Sequence, residues 1–139
     1  MIEFHFKSDI VIHNKPDYVD WINRIIESEG FEVGQVDYIF CTDQYLLQLN
    51  QEYLQHDTFT DIITFDYSNG KIISGDIFIS TERVAENAKK YEVDFLNELR
   101  RVMSHGILHL TGYSDKDADE VKLMRQKEEE KIKMFHVEP

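Results

Sequence analysis

Residues 94–115 read DFLNELRRVMSHGILHLTGYSD, a stretch that predicts one long helix followed by a turn. Asp94 is placed to cap the helix, Glu98 suits its positive end, and no proline interrupts it. The apolar residues recur at spacings of three and four, and they are Leu96, Leu99, Met103, Ile107 and Leu110. Further apolar residues extend this stripe most of the way round, so we expect the helix to be buried in the protein interior.

Two histidines lie on the other side of the same predicted helix. His105 and His109 are four residues apart, so their rings project from one side and can share a divalent metal. Gly112 is placed to end the helix, and Asp115 follows the turn as a third ligand. Three protein ligands with one open position are typical of a catalytic zinc site, where bound water becomes a nucleophile near neutral pH. The alternative is a pair of core histidines bonded to backbone carbonyls; Gly112 and Asp115 favour the metal.

This spacing also fits the long zinc-protease pattern His-Glu-x-x-His-x-x-Gly-x-x-His/Asp at every position except one. Gly106 stands where those proteases keep their general-base glutamate. Without a carboxylate at that place, peptide hydrolysis by that mechanism lacks its proton acceptor. A zinc metallopeptidase therefore remains an alternative function.

The chain resembles a known family in three separate segments. Residues 105–113 reproduce the fixed positions among the first nine of His-Gly-x-Leu-His-Leu-x-Gly-Tyr-Asp-His, a signature of the YbeY family of bacterial endoribonucleases. A second family segment, Leu-Asn-x-x-Tyr-Arg-x-x-Asp-x-x-Thr-Asp-Val-Leu-Ser-Phe, is matched at Leu49, Asn50, Tyr53, Asp57, Thr60, Asp61 and Phe65. The stretch Gly75-Asp76-Ile77 is similar to the family's Gly-Asp-Ile strand. The resemblance covers residues 49–115.

The resemblance implies a metal-dependent, single-strand-specific endoribonuclease in ribosomal RNA maturation and ribosome quality control. Its partners would be ribosomal RNA and the small ribosomal subunit, with no membrane and no DNA. The residues that would hold the metal and carry catalysis are His105, His109 and Asp115. Substrate contacts would come from Thr60, Asp61 and His56, although Asp61 is equally placed to cap the entry of a strand. A non-catalytic ribosome-assembly factor with a structural metal is a further alternative.

Three departures from the family pattern affect the expected chemistry. Asp115 stands where the signature ends in histidine, and a harder oxygen ligand widens the expected metal from zinc toward manganese or nickel. Leu54 replaces an arginine that the family is thought to use on the RNA phosphate, so a bidentate phosphate donor is lost. His56 stands where many members carry lysine; it offers a partial positive charge, or is simply solvated.

Composition indicates a single domain, residues 1–139, of metal-dependent hydrolase type. The 27 acidic and 15 basic residues give a net charge of −12, which argues against a simple RNA-binding protein.

The charged run from residue 115 to residue 130 predicts a solvated helix, and Arg100 and Arg101 are interpreted as a basic rim or as solubilising charge. The one cysteine, Cys41, is expected to be a buried thiol, and the absence of a signal segment or membrane-length apolar stretch predicts a cytoplasmic protein.

Hydrophobic periodicity predicts an α+β domain whose single mixed β-sheet of about four strands is covered by helices, with the metal-site helix buried. Strands are expected at residues 2–6, 33–41, 62–67 and 72–80, with Asn69-Gly70 as a hairpin turn between the last two. Helices are expected to begin near Pro16, after Asp43 as the capping residue, after Ser80 or Thr81 as a cap, at Phe95 and near Asp117.

Overall fold

The computed structural model describes residues 1–54 and 60–135. Within those ranges the elements are β1 (Ile2–Phe6), α1 (Lys15–Ser28), β2 (Glu32–Cys41), α2 (Asp43–Tyr53), β3 (Ile62–Asp66), β4 (Ile72–Ser80), α3 (Thr81–Lys90), α4 (Phe95–Leu110) and α5 (Ala118–Met134). This order follows the hydrophobic periodicity closely. In the described part of the chain, no helix combines the length and the apolar content that crossing a bilayer requires.

The sheet has the strand order β1-β2-β4-β3. β1 and β4 both run parallel to β2, whereas β3 pairs antiparallel with β4. Gly70 has a φ of +60° in the turn between Asn69 and Ile72, a conformation that glycine adopts at little cost. The predicted α+β fold with one mixed four-stranded sheet is confirmed.

The two faces of the sheet are covered by different helices. On one face α1 and α4 pack over an apolar core that includes Trp21, Tyr38, Phe40, Ile77 and Met103. On the other face α2 covers a smaller cluster formed by Cys41, Leu46 and Ile63. Alternation of side chains along each strand separates the two clusters. The histidine helix α4 therefore lies within the main core, as predicted.

Cys41 belongs to the smaller cluster and is fully buried, which confirms the prediction for this thiol. Burial, with a smaller contribution from the nearby charge of Asp43, raises the pKa of Cys41 to about 12. The thiol is therefore protonated and shielded from solvent at neutral pH.

Two local predictions were wrong. Leu96 is 47 % exposed, because the first turn of α4 lies at the surface beside the exposed Tyr91 and Val93. The N-cap of α2 is Thr42, whose hydroxyl accepts from the Tyr45 N–H at 3.2 Å, whereas Asp43 is the first helical residue. Its carboxylate is engaged elsewhere, since Arg83 Nη2 lies 2.7 Å from Asp43 Oδ2.

The terminal helix α5 is only partly solvated, which corrects the prediction for this segment. Asp117 and Glu120 form a capping box at its start. Met124, Glu128 and Lys131 then lie at helical spacing on one buried stripe, each no more than 2 % exposed. Charged residues occupy a core-facing stripe because each is paired with a partner on another element, as described below.

Candidate metal centre

The last two turns of α4 bring the two histidines together. The His105 and His109 rings are half-buried and meet edge to face, with centroids 4.5 Å apart and Nε2 atoms 2.9 Å apart. Gly112, with a φ of +109°, turns the chain at the end of the helix. The chain then returns Asp115 to the rings, and its Oδ2 lies 3.4 Å from each Nε2. The structure therefore brings together all three residues that the sequence assigned to the metal.

The outer nitrogen of each ring fixes its tautomer. His109 Nδ1 lies 3.0 Å from the Tyr113 carbonyl oxygen, which only accepts, so Nδ1–H donates there. His105 Nδ1 lies 2.5 Å from Glu128 Oε2 and donates to that carboxylate. In the neutral rings this leaves a bare lone pair on each Nε2.

In these tautomers, the three atoms that face one another at the centre are all hydrogen-bond acceptors. Two imidazole lone pairs and one carboxylate oxygen face one another, and they repel unless a cation or a proton lies between them. Two nitrogens and one oxygen are a donor set that zinc and other first-row divalent metals accept. The described residues thus contain a cluster that could hold one divalent metal ion.

A buried ionic network lies behind His105. Glu128 is 1 % exposed, and its other oxygen, Oε1, accepts from Arg101 Nη1 at 3.2 Å. Arg101 also bonds Glu98 at 2.6 Å, and its Nη2 lies 3.6 Å from Asp61 Oδ2. Burial acts to raise the pKa of Glu128, but the hydrogen bond from His105 and the charge of Arg101 outweigh it, so that pKa is lowered. The carboxylate is therefore ionised beside the ring.

A second network lies behind His109. Tyr113, whose carbonyl accepts from the ring, donates its hydroxyl to Glu29 Oε1 at 2.7 Å. Glu29 Oε2 accepts from the buried Lys131 Nζ at 2.7 Å. Burial acts to raise the pKa of Glu29, whereas the hydrogen bonds from Lys131 and Tyr113 lower it and prevail. The turn after α4 is thus tied to α1 and α5.

The cluster forms part of the wall of an open cleft of about 590 Å³. Thr60 and Asp61, two of the residues expected to contact substrate, line the cleft, although the Thr60 hydroxyl already donates to the Ile62 carbonyl at 3.3 Å. The third predicted substrate residue, His56, lies outside the described residues. Among the described residues that line the cleft there is no lysine or arginine, and the acids are Asp61, Asp66 and Asp115. The cleft wall is therefore acidic.

A family model described as "Endoribonuclease YbeY" matches residues 3–136 of the chain. The chain belongs to the YbeY family. Among curated YbeY-family relatives, the endoribonuclease YbeY of Flavobacterium johnsoniae is 53 % identical over 138 residues and that of Flavobacterium psychrophilum is 55 % identical over 138 residues. These alignments cover 99 % of this chain, and 99 % and 98 % of the two relatives.

The fold is also similar to that of a solved structure. The solution structure of a Thermotoga maritima protein superposes with a TM-score of 0.71 and 26 % identity, covering 97 % of this chain and 89 % of that one. The family model and the curated relatives confirm the resemblance stated from the sequence motifs.

Two departures from the YbeY signature now have a structural context. Asp115, in place of the signature's final histidine, still reaches both rings through its Oδ2. Leu54, in place of the family arginine, is 45 % exposed and lines the cleft. The first departure keeps the cluster intact, whereas the second places an apolar side chain in the cleft wall.

Sequence reasoning missed three residues that support the centre, namely Glu128, Arg101 and Glu29. The charge pattern of the sequence predicts a solvated face for Glu128 and a surface position for Arg101. The available signal was the helical spacing of Met124, Glu128 and Lys131, which is that of a buried stripe. The partners of these charges are distant in the chain and leave no local pattern.

Proposed function

We propose that this YbeY-family protein is a metal-dependent endoribonuclease that cleaves single-stranded segments of ribosomal RNA during ribosomal RNA maturation and ribosome quality control. The observation that carries the proposal is the convergence of His105 Nε2, His109 Nε2 and Asp115 Oδ2 in the wall of an open cleft. The whole chain, residues 1–139, is taken as one hydrolase domain. Endoribonuclease activity is the activity by which its curated relatives are named.

His105, His109 and Asp115 are the proposed metal ligands and catalytic residues. Zinc is the expected ion, with manganese or nickel accepted because one ligand is a carboxylate. A divalent cation held by these residues would supply Lewis-acid polarisation of a phosphoryl oxygen and a lowered pKa of water, both of which favour phosphodiester hydrolysis at neutral pH. The chain's part is to keep both Nε2 atoms bare and aimed into the cleft, which the two Nδ1–H bonds do.

Thr60, Asp61 and His56 are the proposed substrate contacts. Thr60 and Asp61 line the cleft beside the proposed ligands, at the start of β3. Asp61 lies next to Arg101 and is thereby held near His105. His56 is proposed as the third substrate contact on the family resemblance alone.

The small ribosomal subunit is the proposed partner, and the cytoplasm the proposed compartment. The net charge of −12 and the acidic cleft wall offer little attraction to free RNA. Docking on a ribosomal subunit would place the RNA at the cleft without requiring such attraction.

The test is the His109→Ala variant, compared with His13→Ala as an exposed control. Metal content, cleavage of single-stranded RNA and the far-ultraviolet circular dichroism spectrum are measured for each. We expect His109→Ala to lose stoichiometric metal and cleavage while it keeps its helical spectrum, and His13→Ala to keep all three. Unchanged cleavage by His109→Ala would overturn the proposal. Co-sedimentation of the wild type with ribosomal subunits, without cleavage at any metal, would indicate the assembly-factor alternative instead.

A further inference from the structure

We propose that α5 positions the two metal-binding histidines through its two buried charged residues, Glu128 and Lys131, each acting on one ring through its own chain of hydrogen bonds. This inference rests on the proposed metal site and extends that site to two residues of α5. Glu128 and Lys131 are positioning residues, because they act through His105 and Tyr113 rather than on the substrate.

The Glu128 chain is direct. Oε2 accepts from His105 Nδ1 at 2.5 Å, while Oε1 accepts from Arg101 at 3.2 Å and Arg125 at 3.4 Å. Because both oxygens are engaged, the carboxylate is held in one orientation. A carboxylate on the outer nitrogen fixes the tautomer of a ligand imidazole and increases the basicity of the nitrogen that faces the metal.

The Lys131 chain is indirect and reaches the other ring. Lys131 Nζ donates to Ser28 Oγ at 3.0 Å and to Glu29 Oε2 at 2.7 Å. Glu29 Oε1 then accepts from the Tyr113 hydroxyl at 2.7 Å, and the Tyr113 carbonyl accepts from His109 Nδ1 at 3.0 Å. Tyr113 lies two residues before Asp115. The same chain therefore holds the turn that returns the third ligand.

Burial distinguishes these residues from ordinary surface charges. Glu128 and Lys131 are 1 % and 2 % exposed, so each pays a desolvation cost that well-packed apolar side chains of similar size would avoid. The Glu128 carboxylate contacts the His105 ring directly, whereas the Lys131 ammonium group reaches the His109 ring through Glu29 and Tyr113. The arrangement favours defined ring orientation over maximal stability.

Replacing Glu128 with glutamine makes a specific structural prediction. Arg101 only donates, so the amide oxygen of Glu128→Gln must face Arg101 and its NH₂ group must face His105. His105 Nδ1 then becomes an acceptor, and the ring proton moves to Nε2, where it blocks metal binding. Glu128→Asp keeps a carboxylate and should keep the Nδ1–H tautomer. Glu129→Gln, at the exposed neighbouring position, is the matched control.

The first readout is the histidine tautomer in metal-free protein, measured by ¹⁵N–¹H correlation spectra. The second is zinc affinity, measured by competition with a chromophoric chelator. We expect Glu128→Gln to show an Nε2–H tautomer at His105 and a zinc affinity about 10- to 100-fold weaker, with both values restored toward wild type in Glu128→Asp. An Nδ1–H tautomer and wild-type zinc affinity in Glu128→Gln would overturn the proposal.

Tyr113→Phe tests the second chain without removing a buried charge. It breaks the link to Glu29 and leaves the Glu29–Lys131 pair intact. We expect a weaker zinc affinity, with the changes in ring signals confined to His109. Signals and affinity equal to wild type would contradict the Lys131 chain. Because the tautomers are measured without metal or RNA, these outcomes stay separate from a failure of the nuclease assay itself.

Discussion

Gly106 lies against Ile77 so closely that a Cβ atom on the glycine would come within 3.0 Å of Ile77 Cγ2. Ile62 Cδ1 would be 3.1 Å away on the same side. Position 106 therefore faces the sheet and not the cleft. A glutamate here, where zinc peptidases carry their general base, would have to displace Ile77 and Ile62, so the packing of α4 on the sheet disfavours the side chain that a peptidase mechanism requires.

We expect Gly106→Glu to lower the free energy of unfolding by about 3 kcal/mol or more, since overpacking and an unpaired buried carboxylate both destabilise the fold. Urea unfolding followed by circular dichroism measures this. In Gly106→Ala the contact with Ile77 is offset by better helix propensity, so a change of about 1 kcal/mol or less is expected. A Gly106→Glu variant that folds normally and digests casein would revive the peptidase alternative.

Leu54→Arg should strengthen binding of single-stranded RNA. An arginine at this cleft position adds a bidentate phosphate donor to a wall that carries only acids among its described charged residues. One added phosphate contact should steepen the dependence of log affinity on log salt by about 0.7 for a single strand. Fluorescence anisotropy at several salt concentrations measures both quantities.

The matched control is Leu54→Gln, which adds polarity without charge. This variant should have the same salt dependence of RNA affinity as the wild type. If Leu54→Arg and Leu54→Gln bind RNA alike at every salt concentration, position 54 does not contact phosphate.

Asp115→His should narrow the metal preference toward zinc. The substitution exchanges a hard carboxylate oxygen for a third imidazole, which favours zinc over manganese. Competition between the two metals, followed by elemental analysis of the protein, gives the ratio bound. We expect the zinc-to-manganese ratio to rise in the variant, and an equal ratio in both proteins would indicate that Asp115 is not a ligand.

The ionised Glu29 carboxylate should make the free energy of unfolding depend on pH in the acidic range. Its pKa is lowered in the folded protein from the usual 4.5, so its stabilising contribution is complete above about pH 4.5 and is lost as the pH falls through the folded-state pKa. Glu29→Gln should lower the free energy of unfolding by about 1–3 kcal/mol at pH 7, with a smaller difference from wild type at pH 3.

Urea unfolding at pH 7, 5, 4 and 3 measures this difference. Glu27→Gln, at an exposed position in the last turn of α1 before the C-cap Glu29, should have the same stability as the wild type at each pH. A Glu29→Gln deficit that stays constant from pH 7 to pH 3 would show that the charge of Glu29 does not contribute.

The sequence predicts the residues of the centre that lie within one helix and the turn that follows it. His105, His109, Gly112 and Asp115 are separated by a few residues, so helical geometry alone brings them together. The supporting bonds join residues 23 positions apart at His105–Glu128 and 84 apart at Tyr113–Glu29. Such pairings depend on how helices pack, and no local spacing records them.

On the proposed role of α5, the two rings reach their metal-binding orientation only when α5 has docked on α4. Because α5 follows α4 in the chain, both histidines are synthesised before Glu128 and Lys131. A folding intermediate in which α4 has formed and α5 is still undocked is therefore expected to bind zinc more weakly than the finished fold. Assembly of the metal centre is in this way expected to be a late event of folding.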